Sequence, residues 1–234
     1  MPRVVKHPDI RRAEILDRAT ALFVARGYDN VSLNDLIADA GVSKGAFYHW
    51  FPSKEALITT LAERSVRGQL AVLEEASAHC EGNALDRLNT LLQAGFDVKM
   101  RTGTPEQLAA MVSLLRPVNA HLYGRIIAVS EELTRPLLTR LICDGVAEGI
   151  FDTFDAEGVA DMIQGLAARL NTNVVQIIDA PDEPGRQRAI DVLTDRCRLH
   201  GLAVDRVLGL PDGSIAVLSR AQLEAMVAAL PRDY

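Results

Sequence analysis

Between residues 43 and 54 the chain is dense in side chains that can donate or accept hydrogen bonds: Ser43, Lys44, Tyr48, His49 and Lys54. Taken at 100° per residue from Lys44, the side chains of Lys44, Gly45, Tyr48 and His49 fall between roughly 0° and 140°. Those of Ala46, Phe47 and Trp50 fall between roughly 200° and 300°. One face therefore carries an ammonium, a phenol and an imidazole around a bare glycine, and the other is apolar. A slim polar face of that kind suits a phosphate-lined groove, and Lys44 is the side chain on it best able to reach a guanine edge. Other chemistry is poorly represented. There is no glycine-rich phosphate loop, no GxSxG and no HExxH, and the five histidines are scattered, so no enzyme, cofactor or metal centre is expected. Cys80, Cys143 and Cys197 are odd in number and far apart, unlike a disulfide framework or a CxxC knuckle, and read as reduced thiols, mostly buried. Cys197 and His200 have the spacing of half a metal site without a second pair.

The polar face needs a scaffold, and helical punctuation supplies one. Apolar residues recur three or four apart almost throughout, which predicts an all-α protein. A first helix spans about 8–26, with Ile15, Leu16, Ala19, Leu22 and Phe23 on one stripe and Gly27 as its stop. Ser32 can cap a second helix, with Asp35 answering as in a capping box, and Leu33, Leu36 and Ile37 turn inward. Ala40-Gly41-Val42-Ser43 makes the turn, with Gly41 at the corner and Val42 anchored inside. Ser43 caps a third helix that must stop by Phe51, because the residue before Pro52 is pushed out of the α region. Ser53 then caps a long fourth helix toward His79. Two short helices joined by a glycine turn, the second with a polar face, satisfy a helix-turn-helix in which the second helix enters the major groove.

The same residues closely resemble the TetR (tetracycline repressor) family. The likeness runs through Arg12-Ala-Glu-Ile-Leu-Asp-Arg-Ala-Thr-Ala-Leu-Phe, Gly27-Tyr28, Val31-Ser32-Leu33 and Ile37-Ala38, then Ala40-Gly-Val-Ser-Lys-Gly-Ala-Phe-Tyr-His-Trp-Phe-Pro-Ser-Lys-Glu-Ala-Leu, about residues 10 to 62. It implies that Ser32 and Ser43 touch phosphates, that Lys44, Gly45 and Ala46 approach base edges, and that Tyr48, His49 and Lys54 clamp the backbone. Ala46 departs from this assignment on the helical wheel, where it falls at the core edge. The resemblance further implies a transcriptional regulator, commonly a repressor, that works as a homodimer on double-stranded DNA and answers to a small-molecule effector.

Charge fits that division. The net charge is −6, but residues 1–67 hold ten basic and eight acidic side chains while residues 68–234 hold fifteen and twenty-three. Only the first segment suits a polyanion. The expected organisation is a DNA-binding domain over 1–52 and a helical effector-binding and dimerisation domain over 53–234, in the cytoplasm, since no apolar run approaches a membrane span.

Further helices are expected at about 84–101, 105–115, 118–148, 156–179, 184–208 and 220–230, with Pro136 kinking or restarting one of them. Residues 215–218 read as a short strand or an extended connector. Two apolar stripes suggest a dimer interface: Val159, Met162, Ile163, Leu166, Leu170 and Val174 on one helix, and Ile190, Leu193, Cys197 and Val204 on the next. Phe96, Met100, Met111, Leu115, Asn119 and Tyr123 are expected to line an apolar effector cavity. Two alternatives stay open: a redox sensor acting through Cys80, Cys143 or Cys197, and a DNA-binding module whose larger part docks another protein.

Overall fold

The computed structural model describes residues 8–101 and 117–229, and over these it is all α, with no strand among the described residues. Three helices open the chain: α1 (Pro8–Arg26), α2 (Leu33–Ala40) and α3 (Lys44–Trp50). The larger part follows with α4 (Lys54–Ala78), α5 (Ala84–Arg101), a 3-10 turn over Pro117–Asn119, α6 (Ala120–Ala147), α7 (Ala156–Ile178), α8 (Glu183–Val207) and α9 (Arg220–Ala229). Ser53 caps α4 as expected, and α7 and α8 are capped by aspartates. Ser53, Asp155 and Asp182 accept the backbone N–H groups of Ala56, Gly158 and Gly185. The expected helix over 105–115 lies outside the described residues. Pro136 restarts nothing, for α6 runs through it as one helix.

Burial divides into three cores. The first is built by Ile15, Leu16, Ala19 and Phe23 of α1, Tyr28, Val31, Leu36, Ala40, Phe47 and Phe51, and it takes Leu57 and Ile58 from the start of α4 and Leu122 from the start of α6. The second joins α5, α6, α7 and α8 through Leu88, Leu138, Ile142, Ile163, Val204 and Leu208, with Leu70 and Leu73 of α4 against it. The third sets Leu223 and Val227 of α9 on Ile177, Ile190, Leu193 and Cys197. Helix α4 thus belongs to the first core at one end and the second at the other, and an ion pair of 2.7 Å from Arg64 to Asp17 ties its middle to α1.

This packing corrects the expected dimer stripe. Val159 and Ile163 are buried in the second core, as is Val204, while Ile190, Leu193 and Cys197 are buried in the third, so these six face other helices of their own subunit. The physical reason is α9, which covers the face of α8 that the periodicity alone left unpartnered. Met162, Leu166, Leu170 and Val174 remain half-buried. The cysteines also need correction. Cys197 is buried and Cys80 half-buried, but Cys143 is exposed, because Leu141 and Ile142 take the inward positions on that turn of α6.

Residues 215–218 form an extended connector rather than a strand, and its amides are satisfied by side chains. Asp205, fully buried, accepts the N–H groups of Gly213 at 2.7 Å and Ile215 at 2.8 Å. Asn89 of α5 accepts from Ala216 N–H at 2.7 Å and donates to Ser214 O at 2.9 Å, as a neighbouring strand would. Val217 covers Gly201, where an added methyl would stand 2.4 Å from its side chain. The C-terminal segment is therefore built into the larger part by both hydrogen bonds and the third core.

Candidate nucleic-acid interface

The helix-turn-helix is assembled from local signals. Ser32 and Asp35 close a capping box: Asp35 N–H donates to Ser32 Oγ at 3.2 Å, and Ser32 N–H and Oγ donate to the Asp35 carboxylate at 2.8 Å and 2.5 Å. These bonds hold the Asp35 carboxyl below its ordinary range. Helix α2 ends where Gly41 turns left-handed, with φ of 62°, and donates to Ala38 O, a conformation that L side chains resist. Ser43 then caps α3 by accepting Ala46 N–H at 3.2 Å.

Helix α3 has only seven residues, too few to hold itself together in water, so tertiary contacts must fix it. Phe47 does so, fully buried, its ring centroid 5.8 Å from that of Phe51, which is equally buried. The Arg12 guanidinium stacks over Phe51 from α1, 5.6 Å from the ring centroid. With that side held, Ser43, Lys44, Gly45, Tyr48 and His49 are exposed, Tyr48 at 40%, and Lys44 Nζ lies 5.9 Å from the Tyr48 ring centroid. Ala46 is half-buried, as its wheel position suggested. A methyl built on Gly45 meets nothing within 4 Å, so intrachain packing does not require glycine there.

Two of the expected phosphate ligands have other commitments. The Ser32 hydroxyl donates to Asp35, whose carboxylate would repel a phosphate. Lys54 donates to the backbone carbonyl of Tyr28 and sits 3.7 Å from that ring's centroid, half-buried. Burial pushes its pKa down, and burial, followed by the Glu55 and Asp29 carboxylates, pushes the Tyr28 phenol up to about 12. In this structure Lys54 therefore locks the start of α4 to the loop between α1 and α2. Tyr28 escaped notice as its partner because the sequence separates them by 26 positions.

The expected cavity lining falls differently. Met111 and Leu115 lie outside the described residues, and so do the side chains of Phe96 and Met100. Asn119 is buried and donates to Asp29 at 3.1 Å, so it faces the N-terminal unit instead. Tyr123 is half-buried next to Leu122, which packs in the first core. Among the described residues no group of His, Cys, Asp and Glu could hold a metal ion, and no helix is long and apolar enough to cross a membrane.

The family model described as bacterial regulatory proteins, tetR family, matches residues 15–61, the span from the first buried residue of α1 to the first third of α4. The repressor KstR2 of Mycobacterium tuberculosis is 33% identical over 97 residues, 42% of this chain and 48% of that protein. The repressor NemR of Escherichia coli is 33% identical over 93 residues, 40% of this chain and 47% of that protein, so the chain spans about half the length of these relatives. The regulator BetI of Rhizobium meliloti is 29% identical over 174 residues, 72% of this chain and 81% of that protein. Among solved structures, a TetR-family regulator from Pectobacterium atrosepticum is 24% identical with a TM-score of 0.61, covering 82% of this chain and 93% of its own. RolR in complex with resorcinol is 17% identical with a TM-score of 0.59, covering 96% of both chains. The helix pair, its buried aromatic anchor and the family match all fall on the same residues, so the N-terminal segment over 15–61 is similar to that of the tetR family of bacterial regulatory proteins.

Proposed function

We propose that the protein is a transcriptional regulator that binds a palindromic operator as a homodimer and represses until a small apolar effector releases it. The observation that carries this reading is the exposed face of α3, where Lys44, Gly45, Tyr48 and His49 stand clear while Phe47 is fully buried behind them. Ser43, Lys44 and Gly45 enter the groove with the helix N-terminus, whose free N–H groups favour phosphate. Tyr48 and His49 hold the sugar-phosphate backbone, and Lys54 does so once released from Tyr28. Lys44 alone offers a charged contact to a base edge, so sequence preference leans on groove shape as well as on direct readout. Ser32 and Ala46 are weaker partners, the first bound to Asp35 and the second half-buried.

For the dimer, Val192 and Leu199 of α8 are each 45% exposed and lie two helical turns apart, which suits a second copy on that helix. The effector reading rests on the likeness to that family and on RolR, whose structure holds resorcinol. A redox switch at Cys197 is disfavoured, because that thiol is buried and burial pushes its pKa up to about 11, away from the reactive thiolate.

Selection of bound duplexes from a random DNA pool tests the reading directly. An inverted repeat with half-sites about one helical turn, or a multiple, apart is the expected result. A pool that enriches no sequence overturns it, and a chain that sediments as a monomer at micromolar concentration overturns the dimer.

A further inference from the structure

Helix α2 has a problem of charge at its C-terminus. Its last turn contains no basic residue and does contain Asp39, so the partial negative charge of the helix end is reinforced rather than offset. That end leads directly through Gly41 and Ser43 into α3, the part of the molecule that would lie against phosphates. Two arginines of α1 answer it. Arg18 donates to the backbone carbonyl of Asp39, and Arg11 donates to the carbonyl of Gly41 at 3.1 Å. They are two helical turns apart and so share a face of α1, with Glu14 between them accepting from Arg11 at 3.1 Å and fixing its orientation. A neutral side chain at these positions would bring no positive charge to the helix end.

We propose that Arg11 and Arg18 are positioning residues for DNA recognition: from α1 they clamp the carbonyls at the end of α2 and thereby set the angle at which α3 meets the groove. This rests on the reading of α3 as the recognition helix. The arginines act through the turn, without touching DNA themselves. Both carbonyl bonds lie at the surface, where a charged donor adds little to global stability, but the orientation of a seven-residue helix depends on the corner that precedes it.

The test measures anisotropy of a labelled duplex carrying the sequence selected from the random pool, and of an unrelated duplex, across a range of salt. For Arg18→Ala the expected result is about tenfold weaker binding of the selected duplex, the loss of one charge-assisted hydrogen bond. Binding to the unrelated duplex and the slope of log affinity against log salt stay as in the full chain. Arg11→Ala behaves alike with a smaller loss, and Arg18→Lys, which keeps one donor and the charge, recovers part of the affinity. Circular dichroism accompanies each variant. Should Arg18→Ala lose helical signal, Arg18→Lys carries the test, and intermediate affinity with an unchanged slope supports the clamp. A slope that falls by about one per arginine means direct phosphate contact and overturns the proposal. Unchanged affinity for the selected duplex in Arg18→Ala overturns it too. Those failures are distinct from failure of the regulator reading, which appears in the unaltered chain as a pool that enriches nothing.

Discussion

The N-terminal unit and the larger helical part are held by different kinds of side chain. The first core sets four aromatic rings, Phe23, Tyr28, Phe47 and Phe51, around helices as short as seven and eight residues. The second has Phe151 among aliphatic residues, and the third has no aromatic, yet their helices run to 23, 25 and 28 residues. Helix α3 has one fully buried position, and a large ring there buries what a longer helix spreads over several residues. A long helix can divide the same burial over many leucines and isoleucines. The difference explains why α3 can leave its outer face polar: two rings, the fully buried Phe47 and the half-buried Trp50, anchor its other side.

Phe47→Ala strikes that difference hardest. Removing a fully buried ring should cost about 3 to 5 kcal/mol, enough to unfold the N-terminal unit while the second core persists. Urea unfolding should separate into two transitions, and one unchanged transition would break the comparison. In the larger part the counterpart is not a ring but a carboxylate. Asp205→Ala leaves the amides of Gly213 and Ile215 without acceptors and should cost about 3 kcal/mol, with faster proteolysis at 210–219 and intact operator binding.

Gly45→Ala sharpens the contrast between fold and recognition because its two effects have opposite sign. With open space around the added methyl, the better helix former should raise stability by about 0.5 to 1 kcal/mol, yet the methyl stands where the groove would approach and should weaken operator binding. A gain in both would remove Gly45 from the interface. The smallest effect is that of Asp35→Asn. The folded-state pKa of Asp35 is lowered, so its contribution is fully present above the unfolded carboxylate value and is lost as pH falls through the folded one. The variant should melt below the unaltered protein at neutral pH and converge with it in acid; a constant gap would exclude the capping carboxylate as the cause.

Much of this was legible in order along the chain. Ser32, Asp35, Gly41, Ser43 and the pre-proline Phe51 mark the corners of the helix-turn-helix by local backbone chemistry, and the structure places those corners where that chemistry requires. The outward Tyr48 and inward Phe47 followed from periodicity alone. Lys54 illustrates the limit. Its type and place suit a phosphate, but its ammonium rests on Tyr28, a partner brought near by the turn of the chain between α1 and α2.

By itself the sequence determined the helical elements among the described residues, the capped starts of α2, α3 and α4, the faces that turn inward and the likeness of residues 15–61 to the tetR family, because those depend on residues within a few positions of one another. Only the tertiary structure decided what each buried face meets. Ile190, Leu193 and Cys197 carry the same apolar pattern whether they face a second subunit or α9, and only the path of residues 208–219, pinned by Asp205 and Asn89, brings α9 onto them. Periodicity records that a face must leave water; which surface covers it is settled by chain connections many residues away.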